Sequence, residues 1–418
     1  MSRCDLNNHG WTRMWFANAH RYCVLACAVM LGCLAIAAES ISITATPRYP
    51  WNGKVDLKFT IDGTSGTKYD TSFTAKDVAG GTNLTMKSLY KSNGAAANVA
   101  KEQLLPGTYN WVWDATADLG EGTVLEKVVV EGKTQLPDSE AKKYMILDLG
   151  TGAISYLTSV PSGGWGSTYK STKVALRYCE PGQFKMQGSR LVHISKPFYI
   201  GVFEMTEKQI AKICGRIYAY TYRDKSSEFA SECACGCISY NTARGSSNGA
   251  KWPSSSAVDS SSVIGKIRAK TKLNFDLPTE AQWEYACRAG TTTSYNDGSN
   301  ASSTLNALAW YGMSNANHIA NVVGKKNANA WGLYDMHGNV RELVLDWYAS
   351  IGTVEATDPK GPASGTKRVC RGGEFTSSAS ACTSSSRTSV APNIGSAYDP
   401  DFTSDAVGQG FRLCLTLE

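Results

Sequence analysis

Few residues in this chain have the type and spacing to do chemistry. Cys233, Cys235 and Cys237 form the run CACGC, which invites a metal reading because thiolates are strong ligands for zinc and copper. Alternate residues of a strand share one face, but no fourth soft ligand lies near in sequence. Disulfides to distant partners, or packing in a core, compete with the metal. The five histidines are His9, His20, His193, His318 and His337; none forms an HxxxH or HExxH pair, which argues against a histidine metal centre. Gly324-Lys325-Lys326 lacks the further glycine and the Ser or Thr of a phosphate-binding loop. No Ser-His-Asp set can be inferred from residue order.

Four longer stretches are more informative. They are LPTEAQWEYACRAG at Leu277 to Gly290, NAWGLYDMHGNVRE at Asn329 to Glu342, RVCRGGE at Arg368 to Glu374, and GFRLCL at Gly410 to Leu415. In that order they resemble the formylglycine-generating enzyme, or sulfatase-modifying factor, family, from about Val174 to the C-terminus. The resemblance implies an α+β domain with the C-type-lectin-like formylglycine-generating-enzyme fold. It also implies a reaction: two cysteines bind Cu(I), and oxygen converts a sulfatase cysteine into formylglycine. Two thiolates suit Cu(I), a soft ion.

Three positions of that implied site are changed here. Aligned on Gly372 and Gly373, Cys382 falls on the second family cysteine and Ser377 on the first, and a hydroxyl is a poor Cu(I) ligand. The serine expected after the two glycines is Glu374, and the first tryptophan expected in GNxWEW, the one the resemblance places in the cleft, is Arg341; the second, outside the site, is Leu343. The expectation is therefore a ligand-binding or accessory member without the two-cysteine copper site, its cleft formed by Arg341, Glu374, Ser377 and Arg387. The alternative is the copper-dependent oxidase itself, with Cys382 as its catalytic thiol. Asp335, Gly338, Val340 and Glu342 match family calcium ligands, and hard oxygens on a tight glycine-containing turn are what Ca²⁺ takes. The partner expected is a protein or glycan ligand, a sulfatase among the candidates. Residues 374 to 389, dominated by Ser, Thr and Ala, also resemble the variable region that diversity-generating retroelements rewrite in some proteins of this fold.

The elements that must hold these residues can be read in part. Thr206-Glu207-Lys208-Gln209 and Thr279-Glu280-Ala281-Gln282 are capping boxes, each opening a helix. Ile210, Ile213 and Cys214 make the apolar stripe of the first; Trp283, Ala286 and Cys287 make that of the second, which Gly290 ends. Ser254 to Ser262 reads as a polar surface loop. The rest of the domain is rich in Gly, Ser and Asn and should be loop-heavy.

Residues 41–132 read as a separate immunoglobulin-like β-sandwich. Val55, Leu57, Phe59 and Ile61 alternate with polar residues, Tyr109, Trp111 and Trp113 repeat the alternation, and Val128 to Val130 gives a last strand stopped by Gly132. A spacer or docking role fits it. Residues 133–143 read as a linker, with the second domain over 144–418 opening on a strand at Tyr144 to Leu149. Residues 1–38 read as a signal peptide: Arg3, Arg13 and Arg21 precede the apolar run Cys23 to Ala38, which is short for a membrane span. The protein is therefore expected to be secreted or periplasmic, with a lipid anchor at Cys27 as the less favoured alternative. Loss of the leader leaves nine of thirteen cysteines, an odd number in a compartment where some disulfides are expected. The net charge of +6 comes without Lys/Arg runs and gives no footprint for nucleic acid.

Overall fold

The computed structural model describes residues 40–417 apart from 49–51, 64, 78–81, 122, 124, 126–127, 136–137, 216–230, 314–319 and 396–407. The expected signal peptide and Cys27 lie outside the described residues. The chain divides into two compact units, Met1–Thr134 and Gln135–Glu418.

The first unit holds strands β1 (Ser40–Pro47), β2 (Lys54–Asp62), β3 (Tyr69–Asp77), β4 (Asn83–Leu84), β5 (Leu89–Tyr90), β6 (Glu102–Leu104), β7 (Gly107–Asp114) and β8 (Val128–Gln135), with a short helix α1 (Ala115–Leu119). One sheet has the order β1-β2-β7-β5; a second has β4-β3-β6, with β8 also pairing β3. Val55, Leu57, Phe59 and Ile61 are buried while their neighbours Asp56 and Lys58 are exposed, because a pleated strand sends successive side chains to opposite faces. Phe59 and Trp111 of the first sheet meet Phe73 of the second at ring separations of 5.1 and 5.6 Å, so aromatic rings fill the space between the sheets. Gly132 does not stop β8, which runs on to Gln135. A glycine inside a strand weakens it but breaks no ladder hydrogen bond.

The second unit begins with a short helix α2 (Asp138–Ala141) and then β9 (Tyr144–Asp148), β10 (Ile154–Leu157), β11 (Lys173–Cys179), β12 (Gly182–Met186), β13 (Arg190–Ile194) and β14 (Phe198–Gly201). Helices α3 (Glu207–Cys214), α4 (Tyr240–Arg244), α5 (Val263–Thr271) and α6 (Glu280–Arg288) follow. Short strands β15 (Arg341–Trp347), β16 (Ala356–Thr357), β17 (Arg368–Arg371), β18 (Arg387–Val390), β19 (Gln409–Gly410) and β20 (Cys414–Thr416) complete it. Three sheets result, with orders β10-β9-β11-β14-β20, β12-β13-β16 and β18-β17-β15-β19. The unit is α+β, with more strand than helix. No helix among the described residues is long and apolar enough to cross a membrane.

Both capping boxes form. Thr206 and Thr279 each accept from the backbone of the third helical residue, and Gln209 and Gln282 reach back to the cap N–H. In α6, Trp283, Ala286 and Cys287 are fully buried. Ala289, not Gly290, takes the left-handed C-cap position at φ 45°. Helix α5 follows the serine-rich loop directly, capped by Ser262. Its apolar residues are too few and too interleaved with Lys and Arg for the periodicity to announce it.

Candidate functional site

The sheet β18-β17-β15-β19 organises the region implicated by the motifs. Glu342 of β15 pairs in register with Arg371 of β17, which pairs with Arg387 of β18. These three share one face, and that face meets α6. Glu342 accepts from the Trp283 indole N–H at 2.8 Å and from Arg412 at 2.5 and 2.6 Å. Arg371 is bonded to Glu284, which also takes Arg288 Nε at 2.9 Å. Arg387 closes a bidentate pair with Glu280 at the start of α6. All these groups are buried or nearly so, and they pair because an isolated charge cannot remain in such surroundings.

The register overturns one expectation. Arg387 does not belong to the cleft with Arg341 and Glu374, since strand alternation sends it to the α6 face, where Glu280 and the Ala349 carbonyl take its donors. Arg341 precedes Glu342 by one residue and so points the other way. Its NH1 lies 3.7 Å from Glu374 Oε1, and both side chains remain 18% exposed. Glu374 N donates to Ser377 Oγ at 3.0 Å, closing a tight turn that brings Ser377 beside it. Of the four expected cleft residues, Arg341, Glu374 and Ser377 come together. Arg341 Nε and Glu374 Oε2 are buried without a hydrogen-bond partner among the described residues.

Cys382 lies beneath this turn and is fully buried with Tyr295, Leu305, Leu308 and Ala309. Gly373, at φ 74°, passes so close that a Cβ there would sit 2.6 Å from Cys382 Sγ, which accounts for the glycine. Burial, then the nearby Glu374 carboxylate, pushes the Cys382 thiol up to about 12. Cys370, on the strand face shared with Arg341, is likewise pushed to about 12 by burial, with Glu374 again opposing its thiolate and Arg341 favouring it. Copper(I) binds thiolate, not thiol. One protonated thiol, a carboxylate beside it and a Ser377 hydroxyl already accepting a backbone N–H do not fit a Cu(I) site.

The calcium set is not assembled either. Both Glu342 oxygens are occupied by Arg412 and Trp283. A carboxylate locked to a guanidinium in the interior is a poor candidate for a cation. Asp335 Oδ2 accepts from Gly324 N, while Oδ1 is buried without a partner; burial raises this carboxyl to about 6. Gly338 N donates to the Gly372 carbonyl at 2.8 Å. Glu204 faces the same interior: it accepts from Asn339 Nδ2 and Val340 N, and burial raises it well above the usual carboxylate range. Among the described residues no group of three His, Cys, Asp or Glu could hold a metal ion. Donors of the protein itself take both Glu342 oxygens and one Asp335 oxygen, which leaves Asp335 Oδ1 as the open carboxylate oxygen of the expected calcium set. Glu204 and Arg412 were not singled out in the sequence; Arg412 lies within GFRLCL, the one signal that could have found it.

Other candidates resolve as structure. Cys233, Cys235 and Cys237 are all buried, and bridges at Cys233 and Cys237 tie the run to Val322 and Gln409. Cys179, Cys287, Cys370, Cys382 and Cys414 are buried thiols and form no disulfide. His337 donates through Nδ1 to the Cys382 carbonyl at 2.6 Å, its Nε2 accepting from Asn296 N at 3.1 Å. Burial lowers its pKa to about 4. Within 374–389, Thr376, Ser378, Ser380 and Thr388 face outward, while Phe375, Cys382 and Ser384 are core.

Asp346, at the far end of β15, gives a pH test. It is buried against Glu280, whose N–H it accepts at 2.8 Å, and burial raises its pKa from 3.8 to about 8. A carboxyl raised in the folded state penalises folding increasingly as pH climbs from the unfolded value to the folded one. Asp346→Asn keeps the acceptor and removes the charge. Its unfolding free energy should gain on the parent steadily between pH 4 and 8. A difference constant across that range in urea titrations would mean that Asp346 is not so perturbed.

A buried lattice of Arg–carboxylate pairs under a partly exposed Arg–Glu turn, on an α+β frame of short strands, defines a domain of the formylglycine-generating type. The description "sulfatase-modifying factor enzyme 1-like domain" matches residues 168–413, over half of the chain, and the chain belongs to that family. The formylglycine-generating enzyme of Mus musculus is 35% identical over 117 residues, covering 25% of this chain and 32% of the enzyme. The enzyme of Streptomyces coelicolor is 31% identical over 155 residues, 32% of this chain and 49% of that one. The chain thus matches half or less of these enzymes' length. The chaperone protein LppX of Paenibacillus barcinonensis is 28% identical over 214 residues, covering 43% of this chain and 70% of that protein. Among solved structures, Treponema denticola variable protein 1 is similar at 23% identity and a TM-score of 0.47, over 59% of this chain and 96% of that one.

Proposed function

We propose that this protein is a secreted ligand-binding or accessory member of the family, and that the second unit recognises a protein or glycan through the turn carrying Arg341, Glu374 and Ser377. The observation that carries the reading is the Arg341–Glu374 pair, two opposite charges 3.7 Å apart whose side chains both stay 18% exposed. A peptide amide or a sugar hydroxyl, each both donor and acceptor, would bond the exposed parts of these two side chains. Support also comes from the Cys382 thiol, buried and held protonated. In this reading the first unit is an immunoglobulin-like spacer or docking module, and calcium is not part of the domain's frame.

The oxidase alternative is tested by turnover. Residues 41 to 418 loaded with Cu(I) and given oxygen should form no aldehyde on a sulfatase-type cysteine peptide, beside an active family member as control. Aldehyde above the protein-free level would return the oxidase reading. Ligand arrays should then find a binder whose affinity falls on Arg341→Ala and Glu374→Ala; binding untouched by both substitutions would remove this placement.

A further inference from the structure

A cavity lies within the second unit, lined by neither Arg341 nor Glu374. It has a volume of about 380 Å³ and opens between α5, the start of α6, β20 and the segment at Asp358 to Lys360. This volume is within the range of small-molecule sites. One wall is apolar, with Ile194, Leu277 and Leu345 among its residues.

The charges around it do not balance. Asp276 on the lining is held by two guanidinium groups, Arg244 at 2.7 and 2.9 Å and Arg268 at 2.8 Å. Asp358 is the other lining carboxylate, and it is spent on Ser195, accepting from its backbone N–H at 2.9 Å and from its hydroxyl. Lys196 and Lys360 also line the cavity; both are exposed, and neither ammonium has a counter-ion among the described residues. Three cations, Lys196, Arg268 and Lys360, therefore line the cavity with two carboxylates, one of them already doubly paired. Lys360 Nζ lies 5.7 Å from the ring centre of Trp252, which also borders the cavity. Its ammonium thus lies over a ring that borders the cavity.

We propose that this cavity is a binding site for a small ring-bearing carboxylate, its carboxylate between Lys196 and Lys360 and its ring against the Ile194, Leu277 and Leu345 wall. A lysine pair supplies point charges that attract an anion without fixing its plane, and the apolar wall selects for a body behind the charge. An acidic monosaccharide and a simple ring acid share this chemistry.

The test is calorimetric titration of the protein with glucuronate, cyclohexanecarboxylate, glucose and inorganic phosphate. At least one ring carboxylate should bind, more weakly at higher salt, while glucose should not. Binding by glucuronate alone would identify an acidic sugar, and binding by cyclohexanecarboxylate alone a simple ring acid; both fall within the proposal. Lys196→Glu and Lys360→Glu lie on the surface and should each weaken binding on the order of tenfold. Arg341→Ala should leave it unchanged, which separates this site from the proposed recognition turn. Absence of binding by both carboxylates would overturn the proposal, as would affinity retained in both lysine variants. Phosphate binding as tightly as the carboxylates would also overturn it, by showing a plain anion site.

Discussion

Arg412→Met should cost about 3–5 kcal/mol of folding free energy, the range for breaking a buried ion pair by removing one partner. Arg412 and the Glu342 side chain are 0% and 1% exposed. The guanidinium also donates to the Gly201 carbonyl at 2.9 Å and the Tyr334 carbonyl at 3.1 Å. One side chain thereby ties β14, the 334–335 turn and β15 together. Methionine fills the space but leaves the Glu342 carboxylate with only the Trp283 indole as donor. Since domains are stable by only about 5–15 kcal/mol, urea denaturation should show a second unit near its limit. Adding Glu342→Gln should recover part of the loss, because the stranded charge is then gone. The same experiment bears on calcium. EDTA should not move the midpoint of the parent protein, and calcium should not rescue Arg412→Met; either effect would make Glu342 a metal ligand and reverse the assignment made here.

Glu284→Ala should be comparably severe, about 3–5 kcal/mol. The carboxylate is fully buried and takes Arg288 Nε and NH2 at 2.9 and 2.8 Å, the Gln187 backbone N–H at 2.9 Å, and Arg371. Its removal leaves Arg288 without its carboxylate and Arg371 with only Glu280, whose Oε1 lies 3.8 Å from Arg371 Nε. Arg371 also donates to the carbonyls of Ser384, Ser385 and Ser386, so the loss should loosen the serine-rich return of the chain into β18. Hydrogen exchange ought to rise first around residues 383–386. A variant within about 1 kcal/mol of the parent, the usual effect of an ordinary substitution, would show that these arginines find other partners. Glu284→Gln should fall between the two, since it keeps the shape but accepts from only one oxygen.

What the chain's residues announced is uneven, and the pattern is physical. Both capping boxes form because Thr206, Gln209, Thr279 and Gln282 act within four residues of one another, so their geometry is local. The alternation at Val55 to Ile61 also survives folding, because strand period alone sorts those side chains. Helix α5 was missed where Val263, Ile264 and Ile267 are buried but Lys266, Arg268 and Lys270 interrupt the stripe. Glycine in the sequence marks the ends of α6 and β8 less well: Ala289 takes the left-handed C-cap of α6, and β8 passes through Gly132.

The family, the changed thiol position and the Arg341–Glu374 substitution could be determined from sequence alone, because each depends on which residue stands at a motif position. Sequence could not say which charges would meet. Arg387 was expected in the cleft and pairs with Glu280 instead, 107 residues away in the chain. Glu342 was expected to hold calcium and holds Arg412, 70 residues away. Cys382, the candidate catalytic thiol, lies fully buried, where burial and the Glu374 carboxylate push its thiol up to about 12. Those outcomes depend on strand register and on the cost of leaving a charge unpaired in the interior. Only the assembled tertiary structure determines both.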